Sequence, residues 1–469
     1  METNVADLPE ERLTQQTVVQ SMNHQAGILR NVSPAELRRV VIASLFGSFV
    51  EFFEFSIYGY LAAFMGKVFF PGSSPSVQLI TALATFAIAF LSRPFGGIVF
   101  GSLGDRYGRK MVLTWSILLM AFATFATGLL PSYNSMGVAS TIFLIILRLL
   151  QGFSAGGEAS GASIFVAEYC RDRNRTALTS WIEVGCMSGN FLGAAIAAVI
   201  TFTFSPAQIT DWAWRLPFLL ALPIGAIGLY IRYRLEETPA FELVQKAREE
   251  RVEKELGWSA LFSTHVGALL QSGGIIIVTN VTFYTVVIYM PTYLVSALKL
   301  RPATGFGLTL GPLLFLVCAI PVLGRIADRI SRKRMMLAGC SMVIALAIPC
   351  MQFLMTGDTA LRILALGLLN LSLAMFLSCV YAVIPSLFEA KVRFKGMALS
   401  YNVAVALFAG TAPMINTWLI EATGSKMVPA YYMMLAAVVG IWALLSSTDR
   451  TGVPMRGDVP NREAPRSGA

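Results

Sequence analysis

The chain alternates between long apolar stretches and short polar connections, and the alternation runs through most of its 469 residues. A helix that crosses a bilayer needs about 20 mostly apolar residues. The stretches that meet this requirement are residues 38–66, 77–101, 111–130, 137–168, 176–204, 213–233, 264–295, 303–324, 335–355, 360–388, 397–420 and 429–447. We therefore predict an all-α integral membrane protein with twelve transmembrane helices.

The two halves of the chain carry the same short cassette at equivalent places. The first copy, GSLGDRYGRK, occupies residues 101–110, and the second, GRIADRISRK, occupies residues 324–333. Each copy connects the second and third apolar stretches of its half, which predicts two pseudo-symmetric six-helix bundles. The predicted divisions are an N-terminal segment 1–36, a first bundle 37–233, a linker 234–260, a second bundle 261–447 and a disordered tail 448–469.

The composition indicates that the lipid bilayer is the solvent for most of the chain. Charged residues make up 13%, against about 25% in a soluble domain. The net charge of +9 comes from Lys and Arg that cluster in alternate connections, which places those connections and both termini in the cytoplasm. We therefore expect a multi-pass protein of the bacterial inner membrane, with no cleaved signal peptide and no nucleic-acid partner.

The sequence contains few groups that suit a metal site or an enzyme. The six cysteines lack CxxC spacing, and His24 and His265 are the only histidines. Neither a GxxxxGK[ST] motif nor an HExxH motif is present. We expect no metal, no cofactor and no enzymatic activity, and we expect the chain to act as a monomer.

Ionisable side chains inside apolar stretches are costly and point to function. Glu51, Glu54 and Tyr58 share one helical face of the first stretch, which we expect to line a central cavity. Two carboxylates this close are not both ionised at low cost, so one of them is expected to carry a proton. Structural hydrogen bonding near a helix end is the alternative.

The first half also carries Arg93, Arg148 and Glu158 within its apolar stretches. An arginine can hold a substrate carboxylate in two hydrogen bonds, or it can neutralise a neighbouring glutamate. Glu158 is a third candidate for proton coupling, and Glu183 is open between function and helix capping. The second half offers neutral polar groups, from which we assign Asn280, Tyr284 and Asn402 to substrate binding beside Tyr58, Arg93 and Arg148.

The charge balance of the predicted cavity bears on its substrate. Two arginines face four glutamates, so a trianion would enter a net acidic site at a large desolvation cost. A zwitterion fits better, with its carboxylate on Arg93 or Arg148 and its ammonium group on aromatic faces.

The two cassettes are predicted to form gates. Their acidic groups can cap a neighbouring helix or pair with basic residues when one side of the protein is closed. Membrane anchoring alone is the alternative. The residues assigned to gating are Gly101, Asp105, Arg106, Gly108, Arg109, Asp328, Arg329 and Arg332.

Several motifs together resemble one family. The segments are residues 51–55 (EFFEF), 92–97 (SRPFGG), 151–158 (QGFSAGGE), 214–218 (WRLPF) and 235–239 (LEETP). With the cassettes, they resemble the metabolite:proton symporters of the major facilitator superfamily over residues 38–447. The resemblance implies the major facilitator fold, alternating access, and symport of a small polar metabolite with protons, energised by the proton gradient.

The resemblance narrows the substrate without settling it. Residues 161–169 and 279–284 most resemble the branch that carries proline and betaines, so a zwitterionic compatible solute is the first expectation. Arg148 stands where that branch has lysine and organic-acid carriers have arginine, which keeps di- or tricarboxylates, ketoacids and shikimate as the alternative. Glu54 stands where this family usually has an aspartate. The tail lacks heptads, so activation through a coiled coil is not expected. A membrane sensor that does not transport is a third possibility.

Overall fold

Twelve long helical segments follow one another along the described chain. The structure is a computed structural model that describes residues 34–107, 109–156, 163–164, 166–167, 170–233, 258–389 and 392–455. The segments are α1 (Pro34–Phe69), α2 (Pro75–Tyr107), α3 (Arg109–Leu129), α4 (Val138–Ala155), α5 (Arg175–Thr203), α6 (Arg215–Tyr233), α7 (Val266–Ser296), α8 (Pro302–Ile330), α9 (Arg332–Met355), α10 (Thr359–Ser386), α11 (Arg393–Thr423) and α12 (Val428–Ser446).

The lengths and apolarity of these segments agree with the predicted spans. In the described part, ten segments are long and apolar enough to cross a membrane by themselves. Segment α6 makes an eleventh span together with Pro206–Ala213, from which it is bent by 47°, and α3 contributes the shorter apolar stretch Thr114–Leu129. The prediction of a twelve-helix protein is therefore confirmed.

The second cassette is mostly helical, which differs from the predicted connection between two helices. The second cassette, residues 324–333, was expected as a loop, but α8 continues through most of it and α9 begins one residue later. Ser331 alone separates the two helices, and its hydroxyl accepts a hydrogen bond from the Arg334 N–H at 3.1 Å. The polar residues stay helical because backbone N–H groups of α5 and side chains of the segment after α12 hydrogen-bond with them, as described below.

Spans α7 and α11 each contain a widened π-helical turn that ends two to four residues before a proline. In α7 the turn is Tyr284–Tyr289, ahead of Pro291. In α11 it is Val405–Ala409, ahead of Pro413. Proline has no N–H and its ring clashes with the carbonyl four residues earlier, so the helix relaxes into the wider turn. The turn in α7 begins at Tyr284, which belongs to the site described below.

Helix α5 lies against α1 of the first bundle and against α8 of the second. Glycines allow the close approach to α1. A Cβ at Gly185 would lie 2.2 Å from the Leu45 carbonyl oxygen, and one at Gly189 would lie 2.3 Å from the Phe49 carbonyl oxygen. Helix α1 therefore runs beside α5 in a defined parallel register.

Helices α2 and α4 also approach each other through glycine. A Cβ at Gly152 of α4 would lie 1.6 Å from the Ala89 carbonyl oxygen of α2, and one at Gly156 would lie 2.0 Å from the Arg93 carbonyl oxygen. Since backbone oxygens cannot swing aside, these contacts set the distance between the helices that carry Arg93 and Arg148.

We expect Gly152→Ala to destabilise the fold, because the added methyl group must push two helices apart at a cost of about 1–3 kcal/mol. The matched control is Gly273→Ala, in the first half of α7, where a Cβ would meet nothing within 4 Å. There the better helix propensity of alanine stabilises by up to about 1 kcal/mol. Thermal unfolding of the purified proteins checks both signs, and equal melting temperatures would contradict the packing argument.

Candidate functional site

A buried ion pair joins α1 and α2 of the first bundle. The Arg93 guanidinium of α2 donates to the Glu51 carboxylate of α1. The same guanidinium carbon lies 5.0 Å from the ring centre of Phe55 and 5.3 Å from that of Phe90. The low dielectric and the ring faces strengthen this pair, while its desolvation offsets much of the gain.

The second buried arginine has no acidic partner among the described residues. Arg148 of α4 donates to Gln151 Oε1 at 2.5 Å and to the Phe86 carbonyl oxygen at 3.4 Å. Its guanidinium carbon lies 4.2 Å from the ring centre of Tyr58. Its Nε makes no hydrogen bond in the described part of the protein. A buried cation without an anion is energetically costly, and an anionic group placed beside Arg148 would offset that cost.

The two carboxylates of α1 diverge rather than share one environment. Glu51 meets Arg93, whereas Glu54 Oε2 lies 2.8 Å from the hydroxyl of Thr124 on α3. The amide of Gln151 donates to that same hydroxyl at 2.9 Å. A continuous hydrogen-bonded chain therefore links Glu54 through Thr124 and Gln151 to Arg148. The two carboxylates therefore meet different neighbours, because residues three apart on a helix still differ by about 60° in direction.

An aromatic cluster surrounds both guanidinium groups. Its members from the first bundle are Phe55, Tyr58, Phe86 and Phe90, and the second bundle adds Tyr284. The ring of Tyr284 meets that of Phe90 edge to face at 5.4 Å between centres. This ring contact brings the two bundles together over the charged groups.

The charged centre is closed to solvent in this structure. The exposed fractions are 2% for Glu51, 0% for Glu54, 3% for Arg93 and 1% for Arg148. A ligand therefore reaches these groups only after the two bundles move relative to each other.

A second polar cluster, which we call the latch, joins the bundles at one end. The Asp328 carboxylate of α8 accepts hydrogen bonds from the backbone N–H groups of Thr176, at 3.1 Å, and Ala177, at 2.8 Å, in the first turn of α5. Arg332 donates to Asp328 at 2.9 Å and to the Asp172 carbonyl oxygen at 2.9 Å. An acidic group at a helix N-terminus is stabilised by the helix dipole, so the latch holds the two bundles together.

The segment after α12 covers the latch. The Asp449 carboxylate accepts a hydrogen bond from Ser331 at 2.5 Å, and the Thr451 hydroxyl accepts one from the Arg332 N–H at 2.9 Å. Burial by itself raises the pKa of the Asp449 carboxyl group. The hydrogen bonds from Ser331 and Thr451 together lower it by more, so the pKa of Asp449 lies below its usual value. The expectation of disorder from residue 448 thus differs from the structure up to residue 455. Residues 456–469 lie outside the described part.

Several assigned residues make other contacts or lie outside the described part of the chain. The amides of Asn280 and Asn402 donate to carbonyl oxygens of their own helices, at 2.9 Å in each case. Arg329 is exposed and takes no part in the hydrogen bonds of the latch. Glu158 and Gly108 lie outside the described residues. For the other assigned positions of the first cassette, the structure describes the helix but not the surroundings of the residues; these positions are Gly101, Asp105, Arg106 and Arg109.

Two residues of the site were missed in the sequence. Gln151 follows Arg148 by three residues, which places it on the same helical face, so its position held a usable signal. Thr124 held none, because an isolated threonine in an apolar helix is common. Its role depends on which helix faces Glu54.

We expect Asp328→Asn to favour opening of the latch roughly ten- to a hundredfold, because it removes charge-assisted hydrogen bonds worth about 1.5–3 kcal/mol. Cys170 is buried beside the latch, and burial raises the pKa of its thiol to about 12. Alkylation of Cys170 therefore requires opening and should accelerate in this variant, as followed by mass spectrometry. Asp211→Asn, at an exposed position, is the control, and an unchanged rate in Asp328→Asn would contradict the role of the latch.

Comparison with known proteins gives consistent matches. Residues 44–403 match the family model described as Major Facilitator Superfamily. A proline/betaine transporter of Escherichia coli K12 is 38% identical over 437 residues, 92% of this chain and 87% of that protein. A glycine betaine/proline/ectoine/pipecolic acid transporter of Dickeya dadantii has the same identity and coverage. The crystal structure of a D-xylose–proton symporter shares the fold with a TM-score of 0.68 at 17% identity, covering 89% of this chain and 98% of the other.

Proposed function

This chain belongs to the Major Facilitator Superfamily, as its motifs predicted, and we propose that it takes up a zwitterionic compatible solute, of the proline or betaine type, together with protons. Membership in this family makes it a transporter rather than an enzyme. The two bundles joined through the aromatic cluster and the latch suit alternating access, in which they rock about a central site.

The observation that carries the proposal is the buried guanidinium of Arg148. Its lack of an acidic partner in the described part, together with its free Nε, favours a ligand that brings a carboxylate. Arg93 is already neutralised by Glu51. The site therefore demands one negative charge, which a proline or betaine carboxylate supplies.

The aromatic cluster favours a positive charge on the same ligand. Cations are attracted to the faces of Phe, Tyr and Trp rings. Tyr284 and Phe90 lie beside the arginines, so an ammonium group attached near the carboxylate would find ring faces and the Glu51 carboxylate within the same cluster. The relatives named for proline and glycine betaine, at 38% identity, agree with this choice.

Proton coupling is assigned to Glu51 and Glu54, with Glu158 as a further candidate outside the described residues. A proton on Glu51 weakens its ion pair with Arg93. A ligand carboxylate that binds Arg148 changes the hydrogen bonds of Gln151 and Thr124, and through them the environment of the Glu54 carboxyl group. Binding of the ligand and of the proton thereby become linked, which symport requires.

We place the latch on the cytoplasmic side of a bacterial inner membrane, with both termini on that side. The connections near the latch are rich in Arg and Lys, among them Arg171, Arg173, Lys333 and Arg334, and such connections stay in the cytoplasm. The transporter is proposed to work as a monomer, without a cofactor and with the proton gradient as its energy source.

The test is uptake into liposomes that contain the purified protein. An inward proton gradient should drive accumulation of labelled glycine betaine or proline, and a proton-conducting uncoupler should abolish it. Citrate, ketoglutarate and shikimate should neither accumulate nor compete. If the uptake of glycine betaine is the same with and without a proton gradient, symport with protons is contradicted.

Organic-acid transport is the second candidate, favoured by the same unpaired Arg148. A monocarboxylate satisfies this arginine as well as a zwitterion does. Accumulation of an organic acid with no competition by proline or betaine would select this candidate. Binding of solutes without any transport would instead indicate a sensor.

A further inference from the structure

Glu183 of α5 is a buried carboxylate that the proposed function has not used. Its exposed fraction is 5%, and it interacts with Cys186 one turn along the same helix. It forms no ion pair with any Lys or Arg in the described part of the chain. A carboxylate buried without a cation is stable mainly as the neutral acid, since the charged form loses its hydration.

The register of α1 and α5 fixes the height of Glu183 in the bundle. Gly185 packs on Leu45 and Gly189 on Phe49 and Phe53, so Glu51 lies roughly level with Gly189. At about 1.5 Å per residue, Glu183 lies about 9 Å from that level toward the latch, and the latch residue Thr176 lies about 10 Å further on. Glu183 is therefore about midway between the central ion pair and the latch.

Proton-bearing side chains connect these levels. The hydroxyl of Tyr401 of α11 lies within electrostatic range of Arg93, Glu51 and Glu183. Tyr381 of α10 is hydrogen-bonded to Tyr401 and lies within electrostatic range of Glu183. Both tyrosines are buried. Hydroxyl groups both donate and accept hydrogen bonds, so they can pass a proton between the carboxylates.

The groups that face Glu183 come from both bundles. Tyr381 and Tyr401 belong to the second bundle, and Cys186 lies on α5 between Glu183 and Glu51. When the latch opens, the bundles separate on that side and water reaches Glu183 first. A hydrated carboxyl group is ionised at neutral pH, because its ordinary pKa lies well below 7, whereas the sealed one keeps its proton.

We propose that Glu183 is the carboxylate from which the transported proton leaves toward the latch side. When the latch opens, the Glu183 carboxylic acid gives its proton to water. The Glu183 carboxylate then takes the proton of the Glu51 carboxylic acid, Glu51 pairs again with Arg93, and the latch closes over a protonated Glu183 that is ready for the next cycle. This inference rests on the proposed proton coupling and adds an exit residue to it.

The test compares Glu183→Gln with wild type in liposomes, using labelled glycine betaine and, in parallel, labelled proline. One assay measures accumulation driven by a proton gradient. The other measures exchange of labelled for unlabelled solute at equal pH on both sides, which needs no net proton release. We expect Glu183→Gln to keep exchange within about twofold and to lose accumulation at least tenfold. Glu421→Gln, at an exposed helix end, should match wild type in both assays.

Other results would overturn the inference. Normal accumulation by Glu183→Gln would show that the proton does not leave through this residue. Loss of exchange together with accumulation would assign Glu183 to substrate binding or folding. If Glu183→Gln does not fold, Glu183→Asp replaces it, and its accumulation should fall while exchange persists; equal losses in both assays would reject the proposal.

Infrared difference spectroscopy separates this inference from the proposed function. The purified wild type should show a protonated-carboxyl C=O band at neutral pH that is lost in Glu183→Gln, and this measurement needs no substrate. Absence of such a band would overturn the inference. If wild type neither accumulates nor exchanges the two solutes, the proposed substrate is wrong, and the infrared result still decides whether Glu183 holds a proton.

Discussion

Replacing Arg148 by glutamine should abolish tight binding of the substrate. Removing one member of a buried hydrogen-bonded charge pair costs at least about 2 kcal/mol, and each 1.4 kcal/mol is about tenfold in affinity, so we expect a loss of about 30-fold or more. Arg148→Lys keeps the positive charge but loses the planar guanidinium that can form two parallel hydrogen bonds. Its affinity for the substrate should lie between those of wild type and Arg148→Gln. The measurement is the rise in melting temperature on adding glycine betaine or proline.

The ligand-free protein provides a second readout for the same variant. Arg148 has no acidic partner among the described residues, so Arg148→Gln removes an uncompensated buried cation and should raise the melting temperature without ligand. Arg301→Gln, at an exposed position, is the control and should alter neither quantity. A ligand-induced rise in Arg148→Gln equal to that of wild type would contradict the assignment.

Breaking the Arg93–Glu51 pair should have the second large effect. Removal of one member of a buried pair leaves an uncompensated charge at a cost of about 3–5 kcal/mol. We expect Arg93→Gln and Glu51→Gln each to lower the melting temperature strongly. The double variant should be more stable than either, because no charge is then left alone.

Transport should respond differently from stability in these variants. All three should lose accumulation driven by the proton gradient, since the double variant restores packing without restoring a proton carrier. A double variant whose destabilisation equals the sum of the two single effects would show that the groups do not act as a pair. Thermal unfolding and liposome uptake on the same preparations provide both readouts.

Much of the fold was predictable because membrane spans are a local property. With no water in the bilayer core, each span must satisfy its own backbone hydrogen bonds as a helix, so length and apolarity suffice to find it. The twelve segments follow from this rule, and the repeated cassette indicated the duplicated plan. The second cassette was missed as helix because its polar residues depend on hydrogen bonds from α5 and from the segment around Asp449.

The sequence predicted which charged residues form the site, but not which of them contact each other. A charge within an apolar stretch is visible in any sequence, which is why Glu51, Arg93 and Arg148 were found. Their pairing was not visible, since Glu51 and Glu54 are three residues apart and either could have met an arginine. The packing of α2 and α3 around α1 decided that Glu51 meets Arg93 and Glu54 meets Thr124.

The sequence by itself determined that this protein is a duplicated helical membrane protein with charged groups in its first bundle. These properties depend on composition and on spacing along a single helix. Only the tertiary structure decided that Arg93 is neutralised, that Arg148 is not, and that Asp328 closes one end against α5. Each of these depends on distances between helices, which glycine contacts such as that of Gly152 with Ala89 set, and pairing energies change steeply with such distances.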